Sequence, residues 1–110
     1  RMRMVEFVCG NIFVRPNWLA KVGDQLPGHA HNFDHTTYVV TGSIRVRGVC
    51  PDGRVIEKTF AAGQFCLIKA DVEHTITALA DDTLFHCIYA HRTPQGDVVQ
   101  EFTGWEPAYV

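Results

Sequence analysis

Three histidines fall within the stretch Gly23-Asp-Gln-Leu-Pro-Gly-His29-Ala-His31-Asn-Phe-Asp-His35, and a fourth, His74, lies in a strand-like run far downstream. Each imidazole carries two ring nitrogens that need partners, so such a cluster is hard to place in a packed core. A shared cation satisfies several of them at once. Neutral imidazole is the commonest protein ligand for Zn, Fe, Ni and Cu. The cluster therefore points to one divalent transition metal, Fe, Ni, Zn or Cu, held by His29, His31, His35 and His74.

For that to happen the chain has to bring separate segments together. His29 and His31 stand at i and i+2, so on a strand they project to the same face. Asn32-Phe33-Asp34 reads as a bend that can return His35, which opens a strand towards Tyr38 and Val40. His74 shares parity with Ile76 and Ala78, which places it on the interior side. Asp34 either orients a ligand imidazole or closes an Asx-turn. Phe33 and Tyr38 are candidate pocket walls. His86 shares parity with Leu84 and Ile88; it reads as a pocket residue and a candidate proton shuttle, or else as a hydrogen-bonded wall histidine. Glu73 points away from His74 and reads as solvated.

Short strands separated by turn signals fill the chain, and no stretch sustains a 3.6-residue period. Strands are expected at Met4–Val8, Ile12–Val14, Tyr38–Thr41, Ile44–Arg47, Val55–Phe60, Gln64–Ile68, His74–Leu79, Thr83–Ala90 and Val98–Phe102. Arg15 to Gly23 reads as a loop with one anchored turn. Gly42-Ser43 is the kind of pair that makes a tight hairpin, and Pro51-Asp52-Gly53 is a turn in which proline presets φ and glycine supplies a positive one. About nine short strands at 8–12-residue spacing imply an all-β sandwich or barrel. The 110 residues fit a single domain over 1–110, with no repeat or linker visible.

With these residues in place the sequence resembles the cupin superfamily. Gly23, His29, His31 and Gly42 fall on the positions of the first cupin motif (residues 23–42), with His35 where a glutamate is usual. Gly63 and His74 match the second motif (63–78), in which Lys69, Asp71 and Ala78 replace the usual proline, glycine and asparagine. The resemblance implies a single jelly-roll β-barrel, the cupin-like double-stranded β-helix, with the metal inside, and a member of the four-histidine subgroup. Losing the carboxylate at position 35 leaves nitrogen donors only, which shifts preference from Mn or Mg towards Fe, Ni, Cu or Zn. Four ligands close a tetrahedral structural zinc site but leave two positions open on an octahedral ion. The function implied is a small mononuclear metal-dependent oxygenase acting on a small organic substrate. The family also includes isomerases and non-catalytic, anion-binding modules.

Composition narrows the rest. A net charge of −2 argues against a nucleic-acid partner, and no apolar run approaches the ~20 residues of a membrane span. The opening Arg-Met-Arg-Met-Val-Glu-Phe lacks the apolar core of a signal peptide, so the expected location is cytoplasmic. Cys9, Cys50, Cys66 and Cys87 show no C-x-x-C pairing and read as reduced thiols. Expected edge strands and an aromatic tail with Trp105 and Tyr109 favour a homodimer.

Overall fold

Alternation of inward and outward side chains builds two facing antiparallel sheets. The structure, a computed structural model, describes residues 6–9 and 11–98. Its strands are β1 (Phe7–Cys9), β2 (Ile12–Leu19), β3 (Gln25–His29), β4 (His35–Thr41), β5 (Ser43–Val49), β6 (Val55–Ala61), β7 (Phe65–Ile68), β8 (Glu73–Ala78) and β9 (Thr83–Ala90). One sheet has the order β1-β2-β9-β4-β7 and the other β3-β8-β5-β6. This is the expected all-β jelly roll: from β2 to β9 the chain changes layer at every connection except β5–β6. Val39, Ile44, Ile76 and Phe85 are fully buried between the sheets and form the centre of the core. Cys66 and Cys87 sit in the same layer as free, buried thiols.

Three local readings change. Gly42-Ser43 is not a hairpin: β4 pairs with β7 and β9, whereas β5 pairs with β6 and β8. The chain instead crosses from one sheet to the other at Gly42. The reason is steric. Gly42 has φ +75°, and a Cβ there would lie 2.9 Å from the Thr83 Cα and overlap its hydroxyl. Only glycine allows that approach. Thr83 in turn donates to the Ala80 carbonyl at 2.9 Å, which holds the corner.

Secondly, Arg15 to Leu19 continues β2 despite Pro16, pairing along its length with β9 from Ile12↔Ala90 to Leu19↔Thr83. Thirdly, Gln25–His29 is a strand in its own right, paired with β8. The Pro51-Asp52-Gly53 turn joins β5 to β6 as expected, with Gly53 at φ +86°. Of the expected Met4–Val8 strand, residues 4 and 5 lie outside the described residues. The expected Val98–Phe102 strand enters them only as a bridge between Val98 and Arg92, and the Trp105–Tyr109 tail lies beyond them.

Candidate metal centre

The centre starts from a fault in the β3–β8 ladder. Leu26 pairs with Ile76 and His29 pairs with His74, so three steps along β3 match two along β8. That extra residue, at Pro27-Gly28, is a β-bulge, and it reverses the side-chain parity beyond it. Leu26 points into the core, and so does His29. Without the bulge His29 would face solvent. Instead its ring lies 4.3 Å, centroid to centroid, from that of His74.

Both imidazoles are held in one tautomer. His29 Nδ1 donates to the Pro27 carbonyl at 2.9 Å, and His74 Nδ1 donates to the Val72 carbonyl at 3.0 Å. Each Nε2 is thereby left with a free lone pair, the form that binds a cation. His31 lies just past the end of β3, not within it, with its ring 4.8 Å from that of His29. One ring nitrogen from each of His29, His31 and His74 falls within 4.8 Å of the others. His35, the first residue of β4, stands beside this trio, its ring centroid 5.2 Å from those of both His31 and His74.

Fit to an ion is tested by the unpaired atoms. Among the described residues, the buried side-chain polar atoms without a hydrogen-bond partner are His74 Nε2 and His35 Nδ1. His74 is 1% exposed and His35 4%. A buried acceptor left unpaired costs about 1–3 kcal/mol, and both orphans occur in one cluster of imidazoles. A cation shared among these rings removes the penalty, so the donor set fits a transition metal of imidazole preference. Electrostatics agree. Burial first, then the neighbouring imidazoles, push His35 down to about 4. Burial and neighbouring histidines lower His31 as well, with Arg15 adding to the effect, and burial lowers His74. His35 is therefore neutral, and competent as a ligand, well below pH 6.5, and the shifts at His31 and His74 favour the neutral ring in the same direction.

Aromatic side chains wall one flank. Phe33 stacks on His31 at 5.0 Å and meets Tyr89 at 5.0 Å, while Arg92 lies over its ring at 4.4 Å. Tyr89 stacks on Phe13 and lies 6.3 Å from the His35 ring. Tyr89 escaped the sequence reading because the parity assigned to its strand was reversed. In β9 it is Thr83, Phe85 and Cys87 that are buried, so Tyr89 faces inward with them and His86 faces outward. Tyr38 is the cross-strand partner of His86 and stacks on Phe65. Tyr38 and His86 thus lie on the outer face of the sheet, away from the histidine cluster, and the structure does not support either as a pocket residue. Of the expected walls, Phe33 alone is at the site.

Two aspartates shape the loop that carries His31. Asp34 neither touches an imidazole nor closes a local turn. Its carboxylate accepts from the Ala70 amide at 2.7 Å and faces Lys69 at 3.7 Å, and these contacts hold it below the usual carboxylate range. Asp71 donates its amide to the His31 carbonyl at 2.7 Å and adopts φ +63°. The left-handed turn is kept although glycine is absent. A cavity of 360 Å³ opens between the edges of β6 and β7 and reaches His74; its walls include Val46, Ile56, Phe60 and Ile68, with Lys58 and Lys69 among its polar lining.

Sheet order, motif glycines and inward histidines can be compared with known structures. A tryptophan-to-phenylalanine variant of oxalate decarboxylase from B. subtilis superposes with TM-score 0.67 at 22% identity, over 74% of this chain and 22% of that one. The structure of KdgF from Halomonas sp. gives 0.66 at 19% identity, over 84% of this chain and 79% of that one. The chain has a cupin fold. A deletion mutant of B. subtilis oxalate decarboxylase gives 0.68 at 21% identity, over 83% of this chain and 23% of that one. The chain thus spans under a quarter of the oxalate decarboxylase chains that it matches. The sequence matches no protein-family model and no curated protein. Among the described residues no helix is long and apolar enough to cross a membrane.

Proposed function

We propose that this chain is a metal-binding cupin that holds one divalent transition metal through His29, His31 and His74, with His35 as the fourth ligand, and acts as a small mononuclear oxygenase on a small organic anion. The observation that carries the metal reading is His74 Nε2: buried, unpartnered and fixed as an acceptor by the Nδ1 hydrogen bond to Val72. A redox-active ion bound there would supply Lewis acidity and an electron-transfer centre in a sheltered cavity.

The chain's own residues supply the rest. Phe33 and Tyr89 exclude water along one flank. Arg15 lies in register with Cys87 on the inward-facing side of β2, at the exposed rim. Its present partner is Glu6 at 3.7 Å, both side chains more than half exposed. Such a pair contributes little, about 0–1 kcal/mol, so a substrate carboxylate can displace Glu6 from the guanidinium. The free thiols Cys66 and Cys87 suit a reducing, cytoplasmic setting.

Anaerobic loading with Fe(II), followed by oxygen-electrode measurements over a panel of small organic acids, tests the reading. Acid-dependent O₂ uptake matched by an oxidised product supports an oxygenase. Calorimetric binding of an acid with no turnover in any metal form assigns a binding module, which the position of Arg15 also fits. Conversion without O₂ uptake assigns a metal-dependent isomerase.

A further inference from the structure

Where the two sheets end in β6 and β7, the space between them is not closed. Register sets two inward-facing rows of the four-stranded sheet at that edge, Ile56-Gly48-His74 and Lys58-Val46-Ile76. Gly48 adds no side chain to the first row, so a trough runs from the β6 edge to the His74 ring. A Cβ on Gly48 would stand in it, 2.9 Å from the Val72 Cγ1. Cys66 and Ile68 of β7 form the facing wall of the 360 Å³ cavity. Ile56, although turned inward, is 41% exposed. The cavity therefore holds apolar surface in contact with water, which a hydrocarbon would cover.

Lys58 is out of place in such a row. It stands opposite buried Val46, on the face where a half-buried sheet carries apolar side chains. Its charge reaches across the gap, where it opposes the effect of burial on the Cys66 thiol. Among the described residues Lys58 makes no ion pair. Lys69, at the same mouth, already faces Asp34 at 3.7 Å. No carboxylate lines the cavity among the described residues.

We propose that the cavity between β6 and β7 binds a medium-chain aliphatic carboxylate, its head paired with Lys58 at the mouth and its tail laid along Val46, Ile56 and Ile68 towards His74. Charge selects the head group: an amine would meet two lysines and no acid, and a neutral chain would leave the Lys58 ammonium unpaired. Dimensions select the tail. Two strand spacings across and one residue pair along the strand separate Lys58 from His74, roughly 12 Å. At the ~30 Å³ share of a water molecule, 360 Å³ holds about twelve atoms. A chain of about eight carbons fits both limits. The site is separate from the rim at Arg15, which lies on β2 towards the opposite edge of the five-stranded sheet. It is read from register and cavity alone and does not rest on the metal reading.

Calorimetry and methyl NMR on the metal-free full chain, with sodium octanoate as the probe, test this. Octanoate should bind once per chain and shift the methyl signals of Val46, Ile56 and Ile68 together. From butanoate to octanoate, affinity should rise about fourfold per methylene, and the gain should stop beyond about ten carbons, when the cavity is full. Octylamine should bind more weakly than octanoate. Lys58→Met keeps the apolar stem and removes the charge. Native by circular dichroism, it should bind octanoate about three- to fivefold more weakly and octan-1-ol as tightly as the parent chain does. Absence of octanoate binding up to about 10 mM overturns the proposal. Shifts confined to methyls outside the cavity also overturn it, as does an octanoate affinity that Lys58→Met leaves unchanged. None of these results alters the metal content of the native protein, on which the metal reading is judged.

Discussion

His29 and His74 meet ring to ring at 4.3 Å because β3 carries one residue more than its partner strand between Leu26 and His29. The insertion converts an outward position into an inward one, and the adjacent carbonyls of Pro27 and Val72 then fix both tautomers. Ring direction and tautomer at both positions are thus settled by the backbone. His31 completes the trio from the connecting loop, where its carbonyl is tied to Asp71.

The first prediction is metal content. Protein purified without an affinity tag should carry close to one transition-metal ion per chain by elemental analysis. His74→Ala and His29→Ala should each lower affinity by at least about tenfold, since loss of even supporting contacts around a site costs 10–100-fold. His91→Ala, outside the cluster, should retain full loading. Equal loading in all three variants would refute the ligand assignment.

The second concerns pH in the metal-free protein. His35 titrates at about 4 when folded and near 6.5 when unfolded. Between those values the unfolded chain binds more protons, so stability rises with pH across this window and is flat above about 7. His31 and His74, also lowered, add to the slope in the same direction. Urea midpoints measured from pH 7.5 to 4.5 should therefore fall with acidification, and His35→Asn should reduce the slope. A midpoint independent of pH would show that the rings are not buried in the neutral form.

How much of this was legible in the sequence follows from which signals are local. The inward side of His74, shared with Ile76 and Ala78, came from alternation within one strand and needed no tertiary information. The parity of β9 did not, because the five-stranded sheet is apolar on both faces: Leu84 and Ile88 look as core-like as Phe85 and Cys87, so no polar side marks the outside. Tyr89 was lost and His86 misplaced for that one reason. The Gly42-Ser43 pair announced a sharp change of direction, but turn chemistry does not say whether the chain returns beside itself or crosses to another layer. A bulge such as Pro27-Gly28 shifts register without altering any hydrophobic count.

Gly42 offers a direct test of the sheet-crossing corner. Alanine there must adopt φ +75° and place its Cβ against the Thr83 backbone. Left-handed strain of about 1–2 kcal/mol adds to an overpacking cost of about 1–3 kcal/mol. Gly42→Ala should lower the unfolding free energy by roughly 2–5 kcal/mol. Gly53→Ala, with a similar φ but open space around it, should lose only the strain. Equal losses in the two variants would mean that Thr83 yields.

Asp71 makes the complementary case, a left-handed residue that is not glycine. Aspartate tolerates this region better than most residues and β-branched side chains tolerate it worst. Asp71→Gly should fold with unchanged or slightly higher stability, whereas Asp71→Val should lose about 1–2 kcal/mol. Because the Asp71 amide holds the His31 carbonyl, the valine variant should also bind metal more weakly, read by competition with a chromogenic chelator. Loss of stability with unchanged affinity would separate this turn from the site.

The final prediction addresses His35, whose ring adjoins the trio with a buried, unpartnered Nδ1. If His35 is the fourth ligand, His35→Glu replaces a nitrogen donor by a hard oxygen donor and adds one negative charge. Relative affinity should then move towards Mn(II) and away from Ni(II) or Zn(II), because hard carboxylate oxygen suits the former and imidazole the latter. His35→Ala should weaken all of these ions together without reordering them. If His35 only packs beside the trio, the glutamate variant buries an unpaired carboxylate. It then loses several kcal/mol of stability while its metal preference stays that of the native protein. Competitive uptake of Mn(II) against Zn(II) in one buffer, with loading and stability measured on the same samples, separates the two outcomes.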